Sequence, residues 1–147
     1  MTTTSETTRA TPWHLWVVAI LTLLWNGSGA VTIAMAQMGN RLDMDPNEVA
    51  YYAGQPLWFV LATDLALVLP VAAGVALLLR RRAAPWLFTL ALVTLVINGA
   101  YDLAAGTSLA LVDGGWRTLT IVVMAIALLQ CAYAWRLRKR GVLTRPV

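Results

Sequence analysis

The chain has 147 residues, of which 59 % are hydrophobic and 12 % charged, and its mean hydropathy is +0.68. A soluble domain averages about 45–50 % apolar and about 25 % charged residues, so this chain lacks the polar surface to cover a globule and is too apolar for disorder except at its ends. The net charge of +4 arises from basic residues in short runs beside apolar segments, which is a membrane-topology pattern and not a nucleic-acid footprint. One cysteine, Cys131, excludes an intramolecular disulfide and dithiol chemistry. One histidine, His14, excludes bis-histidine haem ligation within one chain.

Charge-poor stretches divide the chain into a disordered leader (1–12), a membrane domain (13–135) and a basic tail (136–147). Four spans are expected, at about 13–37, 57–79, 85–105 and 116–135. No period-2 alternation marks a barrel. The fold class is therefore all-α, a four-transmembrane-helix bundle. Ala34-Met35-Ala36 before Gln37 fits a signal-peptidase pattern, but the apolar stretch ahead of it exceeds the usual core of about 7–15 residues. The segment is read as a retained span.

The leader, the Arg80-Arg81-Arg82 link and the tail fall on one side of such a bundle and hold nine of the eleven Lys and Arg residues. Arg41 and Arg117 fall on the other side. The positive-inside rule then predicts that both termini are cytoplasmic. Trp13, Trp16, Trp86 and Trp135 are expected at the inner interface, and Tyr51, Tyr52, Trp58 and Trp116 at the outer one, as anchors. In the first outer loop, Asp45-Pro46-Asn47-Glu48 carries a helix-start signature, and Gly54 and Pro56 stop the run. This predicts a short interfacial helix with its tyrosines toward lipid.

Polar residues inside the spans carry what function is readable. Asp64 lies seven residues below Leu57, while Asn26 and Asn98 each lie thirteen residues above the start of their span. At ~1.5 Å per residue all three come out at about the same depth. Asp102 is one turn beyond Asn98, with Tyr101 beside it. A lipid-facing aspartate at a helix centre costs roughly 2.5–3.5 kcal/mol on insertion scales, so Asp64 is expected to face the bundle and take hydrogen bonds from Asn26 and Asn98. Two readings follow. One is an outward-facing solute site formed by Asp64, Asn26, Asn98, Asp102 and Tyr101, with Pro70 as a hinge in the second span. The other is interhelical hydrogen-bond glue. Gly27 and Gly29 are expected to permit close helix approach, and His14 to contact lipid headgroups. No nucleophile–base pair or metal-ligand cluster appears, so neither catalysis, a metal nor a cofactor is expected.

The stretches Trp13-His14-Leu15-Trp16, Leu24-Trp25-Asn26-Gly27, Ala34-Met35-Ala36-Gln37, Pro56-Leu57-Trp58, Arg80-Arg81-Arg82-Ala83-Ala84-Pro85-Trp86 and the Trp135…Arg140-Gly141-Val142-Leu143 ending carry a family resemblance. The chain resembles small four-span membrane proteins of sphingomonad-type alphaproteobacteria, mostly labelled hypothetical and some automatically labelled "sugar transporter". Members often have an acidic-aromatic pair where this chain has Val31-Thr32, which takes that turn out of any solute site. The resemblance transfers no mechanism. The chain lacks the Arg/His/Asn/Glu pattern of membrane eicosanoid and glutathione enzymes, and the first-helix glutamate of small multidrug exporters. The expected role is transport, or transport support, of a small polar solute by a homo-oligomer in the lipid bilayer. The alternative is an accessory or assembly subunit of a larger membrane complex.

Overall fold

The computed structural model describes residues 12–38, 44–109 and 114–143, so the leader up to residue 11, Arg41, Asp43, Asp113 and Arg145 lie outside the described residues. The elements in chain order are α1 (Trp13–Gln37), α2 (Pro46–Gly54), α3 (Leu57–Leu78), α4 (Ala84–Ala104) and α5 (Gly114–Lys139). All but α2 are long and apolar enough to cross a membrane. The shortest of these, α4 with 21 residues, reaches about 31 Å at ~1.5 Å per residue, which matches a hydrocarbon core of ~30 Å. The chain is an all-α, four-span membrane protein with a short helix between its first two spans.

Three of the spans begin and end close to the expected residues. The fourth is longer, because α5 continues past Trp135 through Arg136, Arg138 and Lys139. Charge ends an apolar run but not a helix, and cations in the last turn complement the negative end of the helix dipole. Within the chain only 11 % of the apolar window of α1 and 6 % of that of α5 is buried. Their outward side chains, among them Ile20, Leu24, Ile121 and Leu129, are exposed and face the lipid of a bilayer.

α3 packs between α1 and α4, and α5 packs on α4. Hydrogen bonds from long side chains also join α1 to α5. Nδ1 of His14 lies 2.7 Å from the Tyr133 hydroxyl, and Asn26 Nδ2 donates to Gln130 Oε1 at 3.5 Å. His14 is therefore a cross-bundle partner and not a free headgroup contact. The α1–α3 contact closes at Gly74. A Cβ there would lie 2.9 Å from Leu23 Cδ2 and 3.3 Å from Thr22 Cγ2. Gly27 and Gly29, expected to permit helix approach, face open space.

The buried core lies at the end where α3 turns into α4. Leu15, Leu77, Phe88 and Leu137 meet there, and Val142 and Leu143 fold back among them. The reversal is made by Gly141, whose φ of 70° suits a residue without Cβ. Val142 N donates to the Leu137 carbonyl and Gly141 N to that of Arg138, the paired bonds of a Schellman cap. The same pair ends α3, with Arg81 N on Ala76 and Arg80 N on Leu77. Arg80 takes the left-handed position at φ 55°, where glycine is usual. Its Nε donates to the Val142 carbonyl at 3.2 Å, so the strained turn also holds the returning tail. Beside it the Arg138 guanidinium lies over Trp135 (5.1 Å) and Trp86 (5.4 Å). Trp135 Nε1 donates to Thr89 Oγ1 at 3.0 Å, so this ring joins α5 to α4 in addition to any anchoring role.

Candidate functional site

At the opposite end the bundle is covered by α2. Asp45 Oδ1 accepts from the backbone N–H of Asn47 (2.7 Å) and of Glu48 (2.9 Å), and Glu48 Oε2 accepts from Asp45 N (3.2 Å). This reciprocal capping box satisfies donors that a helix start otherwise leaves unpaired. Glu48 has a second task, since its Oε1 accepts from Trp116 Nε1 at 3.0 Å and ties α2 to the start of α5. Tyr51 and Tyr52 are half-buried and turn toward the bundle, not toward lipid as expected. Their hydroxyls are the reason. A phenol needs polar surroundings when buried, and Tyr51 shares a cavity wall with Asp102 and Gln55.

A cavity of about 320 Å³ opens between α2 and the ends of α3 and α4, with Tyr51, Gln55, Phe59, Tyr101, Asp102 and Thr107 in its wall. A second space of about 170 Å³ shares Tyr51, Gln55 and Asp102 and extends to Tyr52, Thr63 and Thr120. Asp102 therefore stands between the two. Its carboxylate sits in the last turn of α4, where the helix dipole disfavours negative charge. Hydrogen bonds offset that cost. Thr107 Oγ1 donates to Asp102 Oδ1 at 2.8 Å, brought there by a turn at Gly106 with φ 69°. Aromatic rings frame one side, with Tyr101 centred 4.6 Å from Trp58 and 5.4 Å from Phe59.

Of the residues expected to form a solute site, Tyr101 and Asp102 are in the cavity wall and Asp64, Asn26 and Asn98 are not. Asp64 accepts from Gln37 Nε2 at 2.9 Å, at the far end of α1. Asn26 Nδ2 instead donates to the Thr22 carbonyl (2.8 Å) and to Gln130. Depth counted from helix ends treats the spans as level, yet Gly74, ten residues beyond Asp64, packs against Leu23. Asp64 is thus aligned well beyond Asn26 on α1. Asn98 is 7 % exposed, one turn below Asp102 on α4, and its Oδ1 has no hydrogen-bond partner. Pro70 is buried within α3, which runs unbroken through it. Lacking an N–H, it leaves the Ala66 carbonyl without its helical donor.

Tyr51, Gln55, Phe59 and Thr107 were missed as wall residues, and Gln37 and Gln130 as the polar partners. One signal pointed to part of the wall: Asn47 and Tyr51 stand at i, i+4 on one face of α2, and Gln55 follows at its C-cap. Among the described residues no group of three or more His, Cys, Asp or Glu side chains is placed to hold a metal ion.

Burial first, then the Asp102 charge, pushes the Tyr51 phenol well above its ordinary 10.0; Tyr52 is raised by burial and by Glu48. Both phenols hold their protons at neutral pH. The linkage has a definite sign. The stabilisation is complete below about pH 10 and is lost as pH rises above it, because the undocked phenol ionises first. Thermal unfolding compared at about pH 8 and about pH 11 should show a smaller alkaline loss for Tyr51→Phe than for the natural chain. Equal losses would show that Tyr51 is not held protonated against the bundle.

Fold and cavity together define a multi-pass membrane protein with an acidic, aromatic chamber at one end of its bundle. No known family description, curated protein or solved structure matches the chain.

Proposed function

We propose that this protein supports transport of a small polar solute, which it binds in the chamber beneath α2. The observation that carries this reading is Asp102: a carboxylate oriented by Thr107 in the wall of a cavity of about 320 Å³. That volume is at the small end of ligand pockets, which run from about 300 to 1,000 Å³. Nine Lys and Arg residues on the side of the termini, against two on the other, orient the chamber outward from the cytoplasm of a bacterial inner membrane. The resemblance to four-span proteins, some labelled "sugar transporter", accords with the same role, and no step of it is enzymatic. A single copy packs an apolar core at the opposite end, so passage across the membrane requires a homo-oligomer or a partner subunit.

Uptake into proteoliposomes, measured over a panel of charged and uncharged small solutes, tests the reading. Asp102→Asn should abolish uptake while Asp64→Asn retains most of it, because Asp64 is occupied by Gln37 outside the chamber wall. Loss with Asp64→Asn alone would move the site into the spans. A second reading, an accessory subunit of a larger membrane complex, is favoured by the Asn26–Gln130 and Gln37–Asp64 bonds, which serve as interhelical glue. Stoichiometric co-purification with a larger assembly, together with no solute uptake, would establish it.

A further inference from the structure

We infer that the chamber beneath α2 takes a compact organic ammonium ion. The inference rests on the solute-site reading above and names the class of solute. Three features of the wall select it. First, among the described residues the wall has a carboxylate, Asp102, and no Lys or Arg, so the formal charge these residues present to a guest is negative. Thr107 orients that carboxylate by a hydrogen bond and adds no positive charge to it. Secondly, three aromatic rings line the same space: Tyr51, Phe59 and Tyr101. Trp58 meets the Tyr101 ring at 75° and 4.6 Å, which fixes the orientation of that ring. A cation within about 6 Å of a ring centroid is attracted by the ring quadrupole, and the attraction grows where water is excluded. Thirdly, the remaining groups suit N–H or C–H donors more than a bare metal. A hard divalent cation takes about six or more oxygen ligands, drawn largely from carboxylates, carbonyls and water, whereas the described wall supplies one carboxylate, the amide oxygens of Asn47 and Gln55 and the hydroxyls of Tyr51, Tyr101 and Thr107.

An anion is opposed by Asp102. A sugar would need a dense set of hydrogen-bonding groups, and much of the wall is apolar, including Ala50, Pro56 and Leu109. An ammonium bearing methyl or methylene groups satisfies both halves of the wall at once. Its charge meets the carboxylate and its carbon shell meets the rings. The cavity of about 320 Å³ is at the small end of ligand pockets and has room for a compact cation.

Isothermal titration of the full chain in lipid nanodiscs tests this, with choline, its uncharged tert-butyl analogue, acetate and glucose as probes. Choline should bind saturably, and the uncharged analogue at least about tenfold more weakly, since only the charge differs. Asp102→Asn should weaken choline by at least about tenfold, and Tyr101→Leu by several-fold, with melting temperatures recorded for both. If Asp102→Asn fails to fold, Tyr101→Leu carries the test, because that ring is partly exposed in the cavity wall. Equal binding of choline and its uncharged analogue, or no binding of choline, overturns the inference. Glucose binding that weakens in Asp102→Asn would overturn the ammonium class and leave the solute-site reading standing. No binding of any probe, with uptake unaltered in Asp102→Asn, would end both.

Discussion

Gly74→Leu is expected to destabilise the bundle by about 1–3 kcal/mol or more, the usual cost of forcing volume into a packed contact. The first atom added at Gly74 already lies 2.9 Å from Leu23 Cδ2 and 3.1 Å from Leu23 Cγ. Leu23 can swing its terminal methyl aside, so Gly74→Ala should be tolerated. A leucine places three further carbons into the same space, and on its other side stands Thr22, itself only 3 % exposed. The helices must then separate. Gly29→Leu is the internal control. Nothing lies within 4 Å of the corresponding position, so the added side chain meets no neighbour there. Reversible unfolding of the two variants in detergent micelles should separate them, with Gly29→Leu close to the natural chain. Equal effects would mean that α1 and α3 do not pack through Gly74.

Leu143→Ala is expected to cost about 2–5 kcal/mol locally, the range for truncating a buried leucine. Leu143 is 2 % exposed and packs with Val142, Leu137 and Phe88 in the core at the arginine end. This end adjoins Arg80, Arg81 and Arg82 and is the water-facing end of the bundle under the proposed topology, so the hydrophobic effect operates there in full. The segment lies beyond the end of α5, so it can be released without unfolding the spans. The loss should therefore appear as opening of the tail and not as a change in bundle melting. Trypsin cleavage at Arg138, Lys139 and Arg140 reads that opening directly. A loss of about 2 kcal/mol multiplies the open population by about thirty. Cleavage at the natural rate would show that the tail is not docked through Leu143. Releasing the tail also removes the carbonyl that Arg80 Nε holds, so the left-handed turn between α3 and α4 loses its brace.

The chamber and the core occupy opposite ends, and this division has a functional reading. The arginine end is a packed apolar layer closed by α5 and the returning tail. The α2 end is held by polar contacts such as Glu48 to Trp116. Elements with few buried apolar contacts open at lower free energy than a core. No residue of α2 is buried in the sense that Leu77 or Leu137 is. Under the proposed solute-site reading, the short helix is the described element through which a solute would enter.

Several features were legible in the sequence because they depend on local chemistry. Long charge-free stretches specify spanning helices, since a membrane interior demands that every backbone group be paired within the segment. The Asp45-Pro46-Asn47-Glu48 start was legible for a similar reason, as a capping box is closed by residues three apart. Asp102 and Tyr101 were legible as neighbours on one helix. What the sequence could not determine was relative placement between helices. Equal counting from helix ends put Asn26 and Asp64 at one level, yet the α1–α3 contact at Gly74 shifts them apart, and Gln37 becomes the partner of Asp64. Hydropathy ranked Tyr51 and Tyr52 as lipid anchors, but only the approach of Asp102 from α4 decides which way a hydroxyl turns. Glycines within one span all looked alike, and the neighbouring helix alone determines which of them is pressed against a side chain. Periodicity and charge act along the chain and over a few residues. The offset and rotation of one helix against another are settled by side chains distant in sequence, and the chamber beneath α2 is built from those contacts.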